Sequence, residues 1–182
     1  KRKIFDYFNK KNIFPSIPVK KKLLFIPVII DENKKDLLLF SNNNIYEGWN
    51  ENKESFHLLE YILPTEDIED LNILKNKYDF IEQYDFSEII NKYSMDDSIV
   101  ALVFKNEKTL RVLSRIFING NLVLKNQSFS GVDINNKVNF NEIINEIKIV
   151  YEDYWKNFNQ INTSIKLPLR IKVKNSNNFK VS

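Results

Sequence analysis

The sequence predicts an α/β protein of the α+β kind: a two-layer sandwich whose mixed, largely antiparallel sheet of five to six strands carries a long helix, residues 139–158, and shorter helices. Three observations lead there. Between Asn139 and Phe158, the apolar residues Phe140, Ile143, Ile144, Ile147, Val150, Tyr151, Tyr154, Trp155 and Phe158 recur at three-and-four spacing, a stripe too wide for a solvated helix. Short runs starting near Leu23, His57, Ile99, Thr109, Leu122 and Ile165 are either apolar throughout or alternate apolar with polar residues, as strands do. The chain has 182 residues, 43% of them hydrophobic, enough for one core but not comfortably for two. Laying the helix on one face of the sheet buries the two largest apolar surfaces against each other, with Ile147, Val150 and Tyr154 at the contact. Residues 1–174 are therefore read as a single domain, and 175–182 as a polar tail or the start of a further domain.

Taken in order, Lys1 to Lys11 sets Ile4, Phe5 and Phe8 at helical spacing against Lys and Arg, and Pro15 and Pro18 forbid continuation. Leu23 to Ile30 is apolar on both faces, as in a buried strand. Pro27 removes a ladder donor there and calls for a bulge or an early end. Asp36 to Phe40 offers a short second strand, Ser41 to Asn44 a polar loop, and Ile45, Tyr46 and Trp49 a helical turn; His57 to Leu63 is a third strand, stopped by Pro64. Thr65 is placed to cap a helix whose first turn holds Glu66, Asp67, Glu69 and Asp70, carboxylates favoured by the positive end of the helix dipole. Another helix starts near Asp85, with Glu88 at capping-box spacing, and buries Phe86, Ile89, Ile90 and Tyr93. Ile99 to Phe104 is a buried strand. Thr109 to Ile118 and Leu122 to Phe129 form a hairpin about Asn119-Gly120, the strongest such signal in the chain. Asn139 and Glu142 open the long helix, and Ile165 to Val173 alternates as a half-buried strand interrupted by Pro168.

Composition removes several functions. The longest apolar run, Leu23 to Ile30, falls short of the roughly 20 residues a spanning helix needs. There is no Cys for disulfides or thiolate metal sites, and Gly48, Gly120 and Gly131 stand too far apart for a Rossmann turn, P-loop or nucleophile elbow. No cofactor or metal is expected. His57, the only histidine, lacks sequence-visible partners for a catalytic triad or a zinc site and reads as a strand-edge residue. The chain starts on Lys1 without a hydrophobic cleavable segment, so it is read as a fragment or processed product.

Three constellations remain. Asp67 and Asp70, with Glu66 or Asp97 as a third group, are the candidates for carboxylate or metal-dependent hydrolysis, because acid/base work needs two carboxylates converging on one substrate. An ordinary helix start collects the same residues. Tyr46 and Trp49 could form an aromatic platform or plug the core. Charge is uneven: Lys1 to Lys22 carries eight positive groups and one negative, Asn162 to Ser182 five positive and none negative, and the stretch between 14 positive and 23 negative. Lys20, Lys21 and Lys22, with Lys10, Lys11, Lys172 and Lys174, would make an anionic-lipid surface if the fold gathers them. Codon-biased solvent lysine is the bland alternative. With little arginine and no aromatic-interleaved motif, a nucleic-acid partner is not expected.

The run Lys20-Lys21-Lys22-Leu23-Leu24-Phe25-Ile26-Pro27-Val28, then Asn44-Ile45-Tyr46-Glu47-Gly48-Trp49, Leu63-Pro64-Thr65-Glu66-Asp67-Ile68-Glu69-Asp70 and Tyr93-Ser94-Met95-Asp96-Asp97-Ser98-Ile99-Val100-Ala101 resembles a bacterial family, domain of unknown function number 2066. Asn44, Trp49, Pro64, Asp67, Asp70, Tyr93, Asp96 and Asp97 keep that pattern; Lys22, Ile45, Tyr46, Glu66 and Ser94 depart from it, where the pattern has Pro, Pro, Trp, Gly and Gly. These losses fall on turn residues, so the pattern looks structural rather than catalytic. Tyr93 to Phe129 also resembles part of the small α/β domain at the start of the Tol-system propeller protein and in curli-secretion and penicillin-binding-protein-activator lipoproteins, which are binding and assembly modules. The resemblances imply a non-catalytic periplasmic module of the bacterial envelope that binds a protein partner or helps assembly. A hydrolase using Asp67 and Asp70 and an anionic-lipid-binding surface are the alternatives.

Overall fold

The computed structural model describes residues 20–40, 43–51, 58–107, 109–131 and 137–158. The expected helix over 1–11, the strand over 165–173 and the polar tail lie outside them, as do His57, Lys10, Lys11, Lys172 and Lys174. The described elements run β1 (Lys21–Asp31), β2 (Asp36–Leu38), α1 (Asn44–Glu51), β3 (Leu59–Ile62), α2 (Ile68–Asn76), α3 (Ser87–Ile90), β4 (Ser98–Lys105), β5 (Thr109–Ile118), β6 (Asn121–Ser130) and α4 (Lys137–Phe158).

The strands form one mixed sheet of six, as the sequence predicts. Strands β1 and β4 are parallel at its centre, and β5 and β6 follow antiparallel on one side. On the other side, two short strands share the edge of β1: β3 runs parallel to Lys21–Leu24 and β2 antiparallel to Ile29–Asp31. That shared edge explains why Pro27 neither ends nor bulges the strand. The N and C=O of one strand residue point the same way, and the Pro27 carbonyl accepts from Asn43 Nδ2 at 3.0 Å, on the edge where β2 and β3 leave a gap. The missing N–H therefore falls where no ladder partner stands.

Because β1 and β4 are apolar at nearly every position, helices cover both sides, so the expected two-layer sandwich is corrected to three layers with the sheet in the middle. Leu23, Phe25 and Ile29 of β1, Ile99, Ala101 and Val103 of β4, and Leu110, Val112 and Ile116 of β5 meet α4 and α1 on one face. The long helix gives Phe140, Ile143, Ile144, Ile147, Tyr151 and Trp155 to this core, each large side chain contributing roughly 1.5–3 kcal/mol before entropy is charged. Val150 and Tyr154 lie half-buried at its margin. Polar contacts are built in as well, among them Tyr151 Oη to Ser114 Oγ at 2.6 Å, and burial raises the Tyr151 hydroxyl well above its ordinary value.

On the opposite face, Leu24, Ile26, Val28 and Ile30 of β1 and Val100, Leu102 and Phe104 of β4 are covered by Leu74 of α2, Ile81, Phe86 and Ile89. The shorter helices α2 and α3 thus pack on the same sheet as α4, from the other side. Two local expectations shift. Asp67, rather than Thr65, caps α2, accepting from the Glu69 N–H at 2.8 Å in an extended conformation. The α3 turn starts at Ser87, with Phe86 in the left-handed region (φ 61°) and its ring fully buried. Asn119 (φ 50°) and Gly120 (φ 77°) make the primed turn of the β5–β6 hairpin, as Asn-Gly predicts.

Candidate functional site

The acidic helix start is built around a cation. Lys92, on a single turn of 3-10 helix (Asn91–Tyr93), places its Nζ 2.9 Å from Asp67 Oδ2 and 2.5 Å from Asp70 Oδ1. Asp70 is almost fully buried and Asp67 half exposed. The Lys92 hydrogen bond, helped by the Glu69 N–H, holds the Asp67 carboxyl below its ordinary value, and the two carboxylates hold the Lys92 ammonium above its own. Glu66 and Glu69 stay exposed. Asp97 does not join them: it pairs with Lys21 and accepts from the Asn119 N–H at 2.7 Å, fastening the hairpin turn to the start of β1. Among the described residues no group of three or more His, Asp or Glu is arranged to hold a metal. The pair Asp67 and Asp70 is brought together, but around an internal counter-ion.

Tyr46 and Trp49 are divided between edge and interior. Trp49 is 2% exposed and stacks on Phe25 at a centroid distance of 3.9 Å, with Tyr61 edge-on at 5.2 Å and Lys148 Nζ 4.8 Å from its ring. Tyr46 donates to the Pro64 carbonyl at 2.8 Å and meets Phe40 edge-on. Asn43, which in sequence is an ordinary loop residue, fixes this corner. Its Oδ1 accepts from the Ile45 and Tyr46 N–H groups while its Nδ2 reaches the Pro27 and Leu38 carbonyls. Of the basic trio, Lys20 is exposed, Lys21 is held by Asp97 and Asn119, and Lys22 pairs with Glu60 at 3.5 Å.

A concavity lies elsewhere, on the α2/α3 face of the sheet. The described helices there cover β1 and β4 but stop short of the hairpin, leaving a groove of about 760 Å³ between residues 85–98 and the β5–β6 surface. Val100, Phe117 and Leu122 form its floor, and Ile90 and Met95 its wall. Phe117 and Leu122 face the same side because they are paired across the hairpin, and Leu124 continues the row opposite Arg115. All three are open to solvent, Leu122 at 54% and Leu124 at 60%. Asp85, Ser87 and Asp96 line the rim. Arg115 reaches across to the Tyr84 carbonyl, tying the wall to the sheet. The Asp85 carboxyl is held low by the Ser87 N–H at 3.1 Å and by its hydroxyl, and burial together with Glu88 pushes the Tyr84 hydroxyl up to about 12.

In the sequence, Leu122–Phe129 reads only as a return strand. Its signal was present: Leu122 and Leu124 lie on one face of β6 while Val123 and Phe129 lie on the other, and the long helix serves only the second of these.

No family model matches the chain, and no curated protein matches it. Among solved structures it is similar to the LpoB C-terminal domain from Salmonella enterica, with TM-score 0.36 and 8% identity over 67% of this chain and 91% of that one. It also overlaps a crystal structure of an uncharacterized protein at TM-score 0.20 and 7% identity, over 79% of this chain and 94% of that one. The resemblance to domain of unknown function number 2066 therefore rests on the quoted motifs, and many of their residues do structural work here. Trp49 packs the core, Pro64 receives Tyr46, Asp67 caps α2, the Tyr93 hydroxyl accepts from the Thr65 N–H at 3.0 Å, and Asp97 anchors the hairpin.

Proposed function

We propose that the chain is a non-catalytic protein-binding module of the bacterial envelope, working in the periplasm, and that its partner docks in the groove between residues 85–98 and the β5–β6 hairpin. The observation that carries this is the row Phe117, Leu122 and Leu124, exposed on one face beside an open groove with an apolar floor and a polar rim. An exposed apolar patch with a polar border is what a polypeptide partner needs, because its burial drives association while the rim sets orientation. The envelope location comes from the motif resemblance. A hydrolase centred on Asp67 and Asp70 is less well supported, since Lys92 already bridges the pair and Asp97 is engaged elsewhere. A lipid surface is less well supported for a similar reason, as Lys21 and Lys22 already have carboxylate partners.

Selection of a random peptide display library on the full chain tests the proposal. Selected peptides should carry apolar anchors and should lose at least about tenfold in affinity for Leu122→Glu or Leu124→Glu, equivalent to about 1.4 kcal/mol, with melting unchanged. Peptides that bind both variants as well as the parent would overturn it. So would turnover of an envelope glycan or phosphoester that is lost in Asp67→Asn.

A further inference from the structure

We propose that the partner is held as an extended strand along the open edge of β6, its alternate apolar side chains turned to Leu122 and Leu124 and a carboxylate on its other face turned to Lys125; this rests on reading the groove as a polypeptide-binding site. The main chain comes first. β6 ends the sheet, paired with β5 along its ten residues, and among the described residues no strand lies on its other side. The two-residue turn Asn119-Gly120 makes Ile118 and Asn121 a hydrogen-bonded pair, and such pairs alternate along an antiparallel ladder. The N–H and C=O groups of Val123, Lys125 and Gln127 therefore face β5, and those of Leu122, Leu124, Asn126 and Ser128 face outward. Proteins guard long edges with proline, bulges or several charges, whereas β6 has one charge, Lys125, no proline and an unbroken register.

Side chains make this edge selective. Leu122 and Leu124 turn main-chain groups outward and also expose their side chains beside the groove, so one strand laid on β6 meets both. On the other face of the sheet, Lys125 is exposed and stands opposite Ser114, not a carboxylate. Together β5 and β6 carry Arg111, Arg115 and Lys125 and no Asp or Glu. Arg111 is paired with Glu82 and Arg115 with the Tyr84 carbonyl, which leaves Lys125 to select an Asp or Glu on the incoming strand.

A second copy fits this edge poorly. Two-fold pairing of β6 with itself along its length turns about Asn126, and sets Leu122 opposite Ser130 and Leu124 opposite Ser128 of the other copy. Matching Leu122 with Leu124 instead turns the pair about Val123 and leaves residues 126–130 unpaired, and the registers between trade one loss for the other. A foreign strand has no such conflict.

Hydrogen exchange read amide by amide on the full chain, with the display-selected peptides as probes, tests this. In the free chain the Leu122, Leu124, Asn126 and Ser128 amides should exchange at least about tenfold faster than those of Val123, Lys125 and Gln127, and saturating peptide should slow them at least about tenfold. N-methylation of alternate peptide nitrogens should cost at least about tenfold in affinity for one of the two alternating sets and little for the other, since only one set donates to β6. Asn126→Pro removes an outward donor that the β5 ladder does not use, so it should weaken the unmodified peptides with melting little changed. Lys125→Glu should weaken peptides bearing Asp or Glu, by a factor that shrinks as salt is raised. Outward amides already slow in the free chain would overturn the inference, because the edge would then be covered by this chain or by a second copy. The two readings fail differently: peptides that need Leu122 and Leu124 yet leave the outward amides unprotected sink the strand addition alone, whereas peptides indifferent to both leucines sink the binding site itself.

Discussion

Replacing Ile147 by alanine probes the packing that holds α4 on the sheet. Ile147 is 1% exposed, in one core cluster with Phe25, Val112 and Tyr151. The change removes three carbons, about 2.4 kcal/mol of transfer free energy at roughly 0.8 kcal/mol each. A cavity of about 80 Å³, if the site does not collapse, adds up to about 2 kcal/mol at ~24 cal/mol per Å³. The expected cost is therefore about 2.4–4.4 kcal/mol, or roughly 5–18 °C in melting temperature for a chain of this size. Ile149→Ala on the same helix is the internal control: Ile149 is 47% exposed, so its loss should stay within about 0.5 kcal/mol. Urea titration followed by circular dichroism measures both. Ile147→Asp should fail to fold, because it would leave a charge without a partner in the core. If Ile147→Ala and Ile149→Ala melted alike, α4 would not pack on the sheet through this stripe.

A Cβ at Gly48 would stand 2.7 Å from Ile144 Cδ1, so Gly48→Ala should cost about 1–3 kcal/mol by overpacking, and Ile144→Val, which removes that methyl, should restore much of it in urea melts. Lys92→Met should destabilise the fold more than Asp67→Asn, and adding Asp70→Asn should recover stability, because the buried carboxylate rather than the lysine carries the cost. The Asp67 carboxyl lies below its ordinary 3.8 when folded, so its contribution is present above that value and is lost as pH falls through the lowered one. Asp67→Asn should accordingly flatten the acid limb of a stability profile below about pH 4 and leave the neutral limb unchanged in slope. Glu152 accepts from the Leu58 and Leu59 N–H groups at 3.1 and 2.8 Å, so Glu152→Ala should speed hydrogen exchange at those amides while Leu102 in β4 keeps its protection.

The fold was legible where one residue pattern had one structural solution. The wide stripe of α4 demanded a sheet and Asn119-Gly120 demanded a hairpin, whereas the second helical layer was missed because the short α2 and α3 carry few apolar residues and cover the sheet together with Ile81 and Phe86 outside them. Pro27 defied the expectation because propensity is local, whereas the gap that accommodates it lies between β2 and β3, which stand more than 20 positions apart along the chain. Asp67 and Asp70 were legible as a cluster, but their bridging by Lys92 depends on a contact across 22 residues or more that no helix periodicity reveals. The groove was hidden for a related reason. Leu122 and Leu124 look like ordinary strand residues until the described helices on their face are seen to end before reaching them.

The central claim, that this is a binding module working through the hairpin face, is tested most directly by mapping amide and methyl chemical shifts as a display-selected peptide is titrated into the full chain. The account predicts that the largest changes fall on Ile90, Met95, Phe117, Leu122 and Leu124, with little at Asp67, Asp70 and Lys92. Changes concentrated around Lys92, or on the exposed side of α4 near Ile149, would contradict it.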